Sequence, residues 1–318
     1  MATWQRILVA IKQPGARRQV ALARAAKLAR ATDATLHLFH DLSMPVALDA
    51  VVGTGDSIHA ETRQQREAAR ARLERLAAPL RKCGLRVSTA AEWDYPAAEA
   101  IVREARSCAA DLVVVARSGH HRLPALLGYT DWELLRSCPV PVLMVRTRAR
   151  RGRECVVAAV DPQHAYAKPA ALDGQILALA AAAGEALHGS VHAVHVLAPW
   201  LATSAGSASR GPASPGRAAR SALRRECAAA GVATPRLHIM PGDPVEALPR
   251  TARRLHASVF VMGAMSRSGL RRLFVGNTAE RVLDSLACDV LVVHPAGFDP
   301  RLPARRRGVY YLSTIPLT

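Results

Sequence analysis

The chain is 318 residues long and half apolar, and its 43 Lys and Arg against 25 Asp and Glu give a formal charge of +18. That length suits two domains of ordinary size, each able to bury a full core. No apolar run approaches the roughly eighteen residues that cross a bilayer, and the six scattered cysteines lack the CxxC spacing of a zinc site or a disulfide framework, a pattern that reads as a reduced cytoplasmic protein.

In chain order, the amino terminus runs without signal-peptide organisation into a strand at 6–11. A helix is predicted at 17–31, then a strand at 35–40 that carries His37 and His40. Residues 59–82 form the plainest amphipathic helix, and Cys83-Gly84 ends it with the glycine expected past a C-terminus. Strands at 85–92, 111–116 and 141–145 then alternate with helices at 96–108 and 131–137. Five arginines between 146 and 153 read as a solvated linker. Beyond them the strand pattern restarts at 155–160, 191–196, 236–240, 258–263 and 289–293. Residues 202–217 are Gly-, Ser-, Pro- and Ala-rich and read as a mobile loop. Residues 298–318 lack periodicity and read as a disordered basic tail, although 309–312 (VYYL) have the composition to join a sheet edge.

Short runs rich in Val, Ile and Leu, alternating with helices, indicate βαβ units and a parallel sheet buried on both faces. The fold class is therefore α/β, with two tandem doubly wound five-stranded parallel-sheet domains at 1–148 and 149–297. The halves match at an offset of about 147 to 155 residues throughout: 111–116 (DLVVVA) against 258–263 (SVFVMG), and 141–145 (PVLMV) against 289–293 (DVLVV). So long a period is a duplicated domain.

Ligands of open parallel sheets bind at the carboxyl ends of the strands, beside helix amino termini. In the second half Asp161 ends the first strand, where a carboxylate can accept hydrogen bonds from a base or ribose, or serve as an ordinary turn residue. Asp243-Pro244 opens a helix, and capping explains it. The stretch 261–269 (VMGAMSRSG), with Gly276-Asn277-Thr278 opening the next helix, offers small residues and a helix amino terminus to a phosphate, with Arg267 adding charge. Asn277 with Glu280, and Thr130 with Glu133 in the first half, also fit capping boxes. His192 and His195 lie three apart on a strand and so face opposite ways, which favours packing and hydrogen bonding over metal ligation; His37 and His40 repeat the pattern. His120-His121 is a loop pair without nearby carboxylates.

No Walker loop, GxGxxG, GxSxG elbow or HExxH occurs, so nothing argues for catalysis. Only four of the basic residues are lysines, and aromatic content is 4%. The charge is thus an arginine excess of composition, with little to stack on bases, and specific nucleic-acid binding is not expected.

The chain resembles a tandem universal stress protein, most closely the E-type members, across residues 4–297. Thr130–Val145 (TDWELLRSCPVPVLMV) and Gly276–Val293 (GNTAERVLDSLACDVLVV) carry the resemblance, with Gly242–Leu248 in support. It implies the adenine-nucleotide alpha-hydrolase-like fold and, in nucleotide-binding members, a strand-1 Asp with the pattern G-x2-G-x9-G-[ST]. Asp161 matches the Asp, Gly263 the first glycine and Gly276 the third, while Ser266 replaces the second glycine and Asn277 the Ser/Thr. In the first half Lys12, Ala116 and Tyr129 replace the Asp, the first glycine and the third.

The resemblance implies a cytoplasmic, non-enzymatic stress-response regulator that takes ATP, with Mg2+, in the second domain only. The candidate contacts are Asp161, Val194, Gly263, Ser266, Arg267, Gly269, Gly276, Asn277 and Thr278. The alternatives are a nucleotide-free scaffold acting through an unknown protein partner, and a weak ATP hydrolase. Pairing of 141–145 with 289–293 would make a covalent pseudo-dimer, with further homodimerisation left open.

Overall fold

The computed structural model describes residues 4–42, 46–47, 55–117, 129–146, 152–163, 170–197, 215–264, 277–299, 302–303, 306 and 311–312. It divides into two compact units, Trp4–Cys138 with Pro300–Thr318, and Pro139–Asp299 with Met1–Thr3.

The first unit contains β1 (Arg6–Ala10), α1 (Val20–Thr32), β2 (Thr35–Asp41), β3 (Val46–Ala47), α2 (Gly55–Lys82), β4 (Val87–Glu92), α3 (Ala97–Ser107), β5 (Leu112–Ala116) and α4 (Tyr129–Ser137). β4, β2, β1 and β5 lie side by side in that order, all parallel. Ile7, Leu8, Val9 and Val113–Val115 have no measurable exposure, as expected of a sheet covered on both faces. The helix predicted from 59 begins at Gly55 and ends as the sequence indicates. Gly84 sits at φ +83, and its N–H reaches Arg81 O while that of Leu85 reaches Leu80 O.

The second unit holds β6 (Val142–Val145), β7 (Cys155–Ala159), α5 (Ala170–Ala186), β8 (Ser190–Leu197), α6 (Pro215–Ala229), β9 (Arg236–Pro241), α7 (Pro244–Arg254), β10 (Val259–Gly263), α8 (Asn277–Ser285) and β11 (Asp289–Val293). Its parallel strands run β11, β10, β7, β8, β9. β6, the last strand of the first repeat, pairs antiparallel with β11 through Val142↔Val292, Leu143↔Leu291 and Met144↔Val290. Asp289 Oδ1 fixes the end of that pairing by accepting the Arg146 N–H at 3.0 Å. The compact units part at 138/139, because β6 is hydrogen-bonded to β11 of the second unit.

α6 starts inside the stretch read as a loop, with Pro215 in its first turn, where the missing N–H costs nothing. The rest of that loop lies outside the described residues. α7 follows the sequence closely: the Asp243 side chain accepts the Val245 N–H at 2.9 Å, and Pro244 opens the helix. β12 (Tyr311–Leu312) pairs parallel with β3 as a separate two-stranded ladder and not with the main sheet of its unit; Val309 and Tyr310 of the predicted edge segment lie outside the described residues. No disulfide joins any of the six cysteines, and burial pushes the Cys227 thiol up to about 11.

Candidate functional site

In the second unit the strand following β7 in sequence lies on one side of it, and β10 on the other. That reversal opens a crevice between the carboxyl ends of β7 and β10, where doubly wound sheets place their ligands. Asp161 stands one residue beyond Val160 at the end of β7, and Ala264 directly follows β10.

Asp161 is 4% exposed, and its N–H donates to Asp173 Oδ2 at 2.9 Å. Asp173 lies in the first turn of α5 and is 1% exposed. The crevice thus holds two buried carboxylates, the second favoured by the amino end of α5. His195 completes the floor. Its Nδ1 lies 3.2 Å from Val160 O and 3.8 Å from Asp161 Oδ1, and its Nε2 lies 3.1 Å from Gln163 Oε1. A backbone carbonyl only accepts, so Nδ1 carries a proton. Hydrogen bonding within the sheet is what the sequence predicts for His195; Asp173, an acid in an Ala-rich helix, carries no local signal of where it points.

His40 Nδ1 makes the same bond to Ile11 O, at 2.7 Å, in the first unit. The second histidine of each strand therefore ties β2 or β8 to the turn after its neighbour. The first histidine of each pair turns elsewhere: His37 bridges Ser88 and Glu104, and His192 bridges Ser190 and His238. The His192 and His238 rings stack, and burial, with the neighbouring His238 and Arg236, pushes His192 down to about 4. No cluster of three or more metal-ligating side chains occurs among the described residues, and His120-His121 lies outside them.

The remaining candidates divide. Val194 is a sheet residue with no measurable exposure, and its carbonyl accepts the Val160 N–H. Gly263 has a packing reason for lacking a side chain: a Cβ there would lie 2.7 Å from Leu172 Cδ2 on α5. The Ala264 N–H is already bonded to Val293 O at 3.0 Å, which leaves it unavailable to a phosphate. Asn277 opens α8 and Thr278 is exposed in its first turn. Ser266, Arg267, Gly269 and Gly276 lie outside the described residues, as does the Asn277 side chain. α4 begins at Tyr129, which puts Thr130 within its first turn; Glu133 there pairs with Arg136 Nη1 at 3.3 Å.

The matching place in the first unit is built differently. Lys12 stands where Asp161 stands, and its Nζ lies 2.5 Å from Oδ1 of Asp131, in the first turn of α4. An ion pair thus occupies that crevice, with its carboxylate at the amino terminus of α4.

Comparison with known proteins follows the same division into halves. The universal stress protein family model matches residues 3–146 and again 156–294. Universal stress protein E of Escherichia coli K12 is 30% identical over 223 residues, spanning 67% of this chain and 69% of its own. Universal stress protein E of Photorhabdus laumondii is 26% identical over 318 residues, 96% of this chain and 100% of that one. The crystal structure of PA1789, a protein of unknown function from Pseudomonas aeruginosa PAO1, aligns with a TM-score of 0.69 at 28% identity, covering 92% of this chain and 93% of that one.

Proposed function

The chain belongs to the universal stress protein family, and from that premise we propose that it is a non-enzymatic stress-response regulator whose second repeat binds an adenine nucleotide. The observation that carries this reading is the asymmetry of the two crevices: buried Asp161 with Asp173 in one, and the Lys12–Asp131 ion pair in the other. Carboxylates accept hydrogen bonds from the ribose hydroxyls and the adenine amino group, and they repel phosphates. The nucleoside end would therefore lie at Asp161, with the phosphates and their Mg2+ towards the amino terminus of α8, which adds positive charge.

A scaffolding role without nucleotide is the second reading. It is favoured by Ser266 and Asn277, which depart from the family pattern, and by the Ala264 N–H, which is committed to the sheet. The pairing of β6 with β11 supports the expectation that the last strands of the repeats form their joint. Calorimetry with Mg-ATP separates the two readings. We expect one site per chain, lost in Asp161→Ala and Asp161→Asn and kept in Lys12→Ala. Absence of heat in the wild type, together with no nucleotide released on denaturation, would leave the scaffolding role.

A further inference from the structure

The first repeat carries a buried acid that the second lacks. Glu104 on α3 has a side chain only 8% exposed, and the matching residue in the second repeat is neutral Thr251. Its Oε1 lies 2.9 Å from His37 Nε2. The hydrogen bond from His37 holds the Glu104 carboxyl below its usual range against the opposing effect of burial, and Arg306 adds to the same effect. The ionised group needs a donor for its second oxygen, and the chain supplies one from 202 residues away: Arg306 Nη2 lies 2.9 Å from Oε2. Arg306 Nη1 reaches Glu92 Oε2, at the end of β4, at 3.1 Å. One guanidinium fork thus spans two carboxylates, the geometry that arginine and not lysine provides.

The neighbouring tail residues are held through their backbone. Arg106 Nη1 on α3 points at Leu302 O and Arg103 Nη1 at Pro303 O, each at 3.4 Å. Arg103 is itself fixed by two bonds to Asp94, at 2.7 and 2.8 Å. Further on, Tyr311 and Leu312 add in parallel beside Val46 and Ala47, just past β2. Carbonyl contacts at Leu302 and Pro303, a guanidinium notch at Arg306 and strand addition at Tyr311–Leu312 follow one another in chain order. These are the marks of peptide docking by backbone with one side chain read for identity. The contacts are individually modest: the carbonyl bonds are long and the Arg306 side chain is 42% exposed.

We propose that the Glu92/Glu104 notch with the α3 arginines is a docking site for an arginine-bearing segment, and that Leu302, Pro303 and Arg306 occupy it in cis as a releasable contact on the first repeat. A tethered occupant competes at an effective concentration on the order of millimolar. A free copy of the same segment should therefore bind poorly until the cis contact is weakened.

The test uses a fluorescent peptide of residues 302–312 titrated by anisotropy into the full-length protein. Wild type should bind it at least about tenfold more weakly than Arg306→Ala or Arg306→Gln, the latter keeping donors near Glu104. Adding Glu104→Gln to either variant should remove the binding, a peptide with alanine at its 306 position should not bind, and raised salt should weaken the contact. Hydrogen exchange of 302–312 should be faster in Arg306→Ala than in wild type. Equal binding to wild type and variants would overturn the proposal. So would absence of binding together with unchanged exchange in Arg306→Ala. A dimer in wild type that Arg306→Ala dissolves would also overturn it, since the contact would then be made by a second copy.

Discussion

Replacing Gly263 with alanine adds one methyl group where β10 passes under α5. The new carbon would lie 2.7 Å from Leu172 Cδ2, 3.3 Å from Leu172 Cγ and 3.4 Å from Ile176 Cδ1. Carbons rest at about 3.5–4.0 Å, so Leu172 must withdraw by about 1 Å. Leu172 and Ile176 are themselves fully buried, which leaves the displacement to spread into packed core. Overpacking of this kind costs about 1–3 kcal/mol. For a domain of this size a cost near 2 kcal/mol lowers Tm by about 4–8 °C. Leu172→Ala alone should cost about 2–5 kcal/mol through its cavity. The double variant should cost less than the two together by about 1–2 kcal/mol, because each change relieves the other. Thermal melts of the four proteins measure all of this. An unchanged Tm in Gly263→Ala, or strictly additive losses, would refute the packing argument. If Gly263→Ala melted like wild type yet failed to bind Mg-ATP, the glycine would belong to the ligand.

Three further predictions concern charge and polarity. The His192 ring is depressed to about 4 in the folded protein against 6.5 unfolded, so the unfolded chain takes up its proton first as pH falls. Its contribution is complete above pH 6.5 and drains away towards pH 4, by roughly 1–3 kcal/mol. Urea midpoints at pH 7 and 5 should converge in His192→Gln relative to wild type, and a pH slope unchanged by the substitution would contradict the assignment. Lys12→Ala removes the cation beside Asp131 and should cost about 1 kcal/mol in urea unfolding. Gly242-Asp243-Pro244 is an exposed N-cap, and Asp243→Ala should likewise cost about 1 kcal/mol by the same assay.

Much of the fold was legible because fully covered strands must be apolar along their whole length. Val113–Val115 and Val259–Met262 read as strands for that reason, and the α2 glycine stop and the Asp243 cap are local devices with local signatures. Pairing direction is not local. Val142–Val145 is as apolar as its parallel neighbours, and nothing in its composition says that it runs antiparallel on β11. The candidate site was legible at Asp161, which a strand end marks. It was not legible at Asp173, nor at the Lys12–Asp131 pair, whose partners are 119 residues apart. Gly263 has a second reason for lacking a side chain that the sequence does not display, because a Cβ there would meet carbons of α5. Arg306 lies within a run of identical arginines, and its partners Glu104 and Glu92 lie about 200 positions away in the chain.

The placement of β6 bears on how the molecule can be divided. A chain begun at residue 156, where the second family match starts, would contain the five parallel strands of its repeat, short only of Cys155 at the start of β7, and would lack β6. β11 would then present Val290–Val292 along a bare rim, inviting a strand from any neighbouring molecule. A fragment begun at residue 139 carries its own cover. The duplication has thus ceased to be two interchangeable parts, because the compact unit, from Pro139, is out of phase with the copied stretch, whose second match begins at 156.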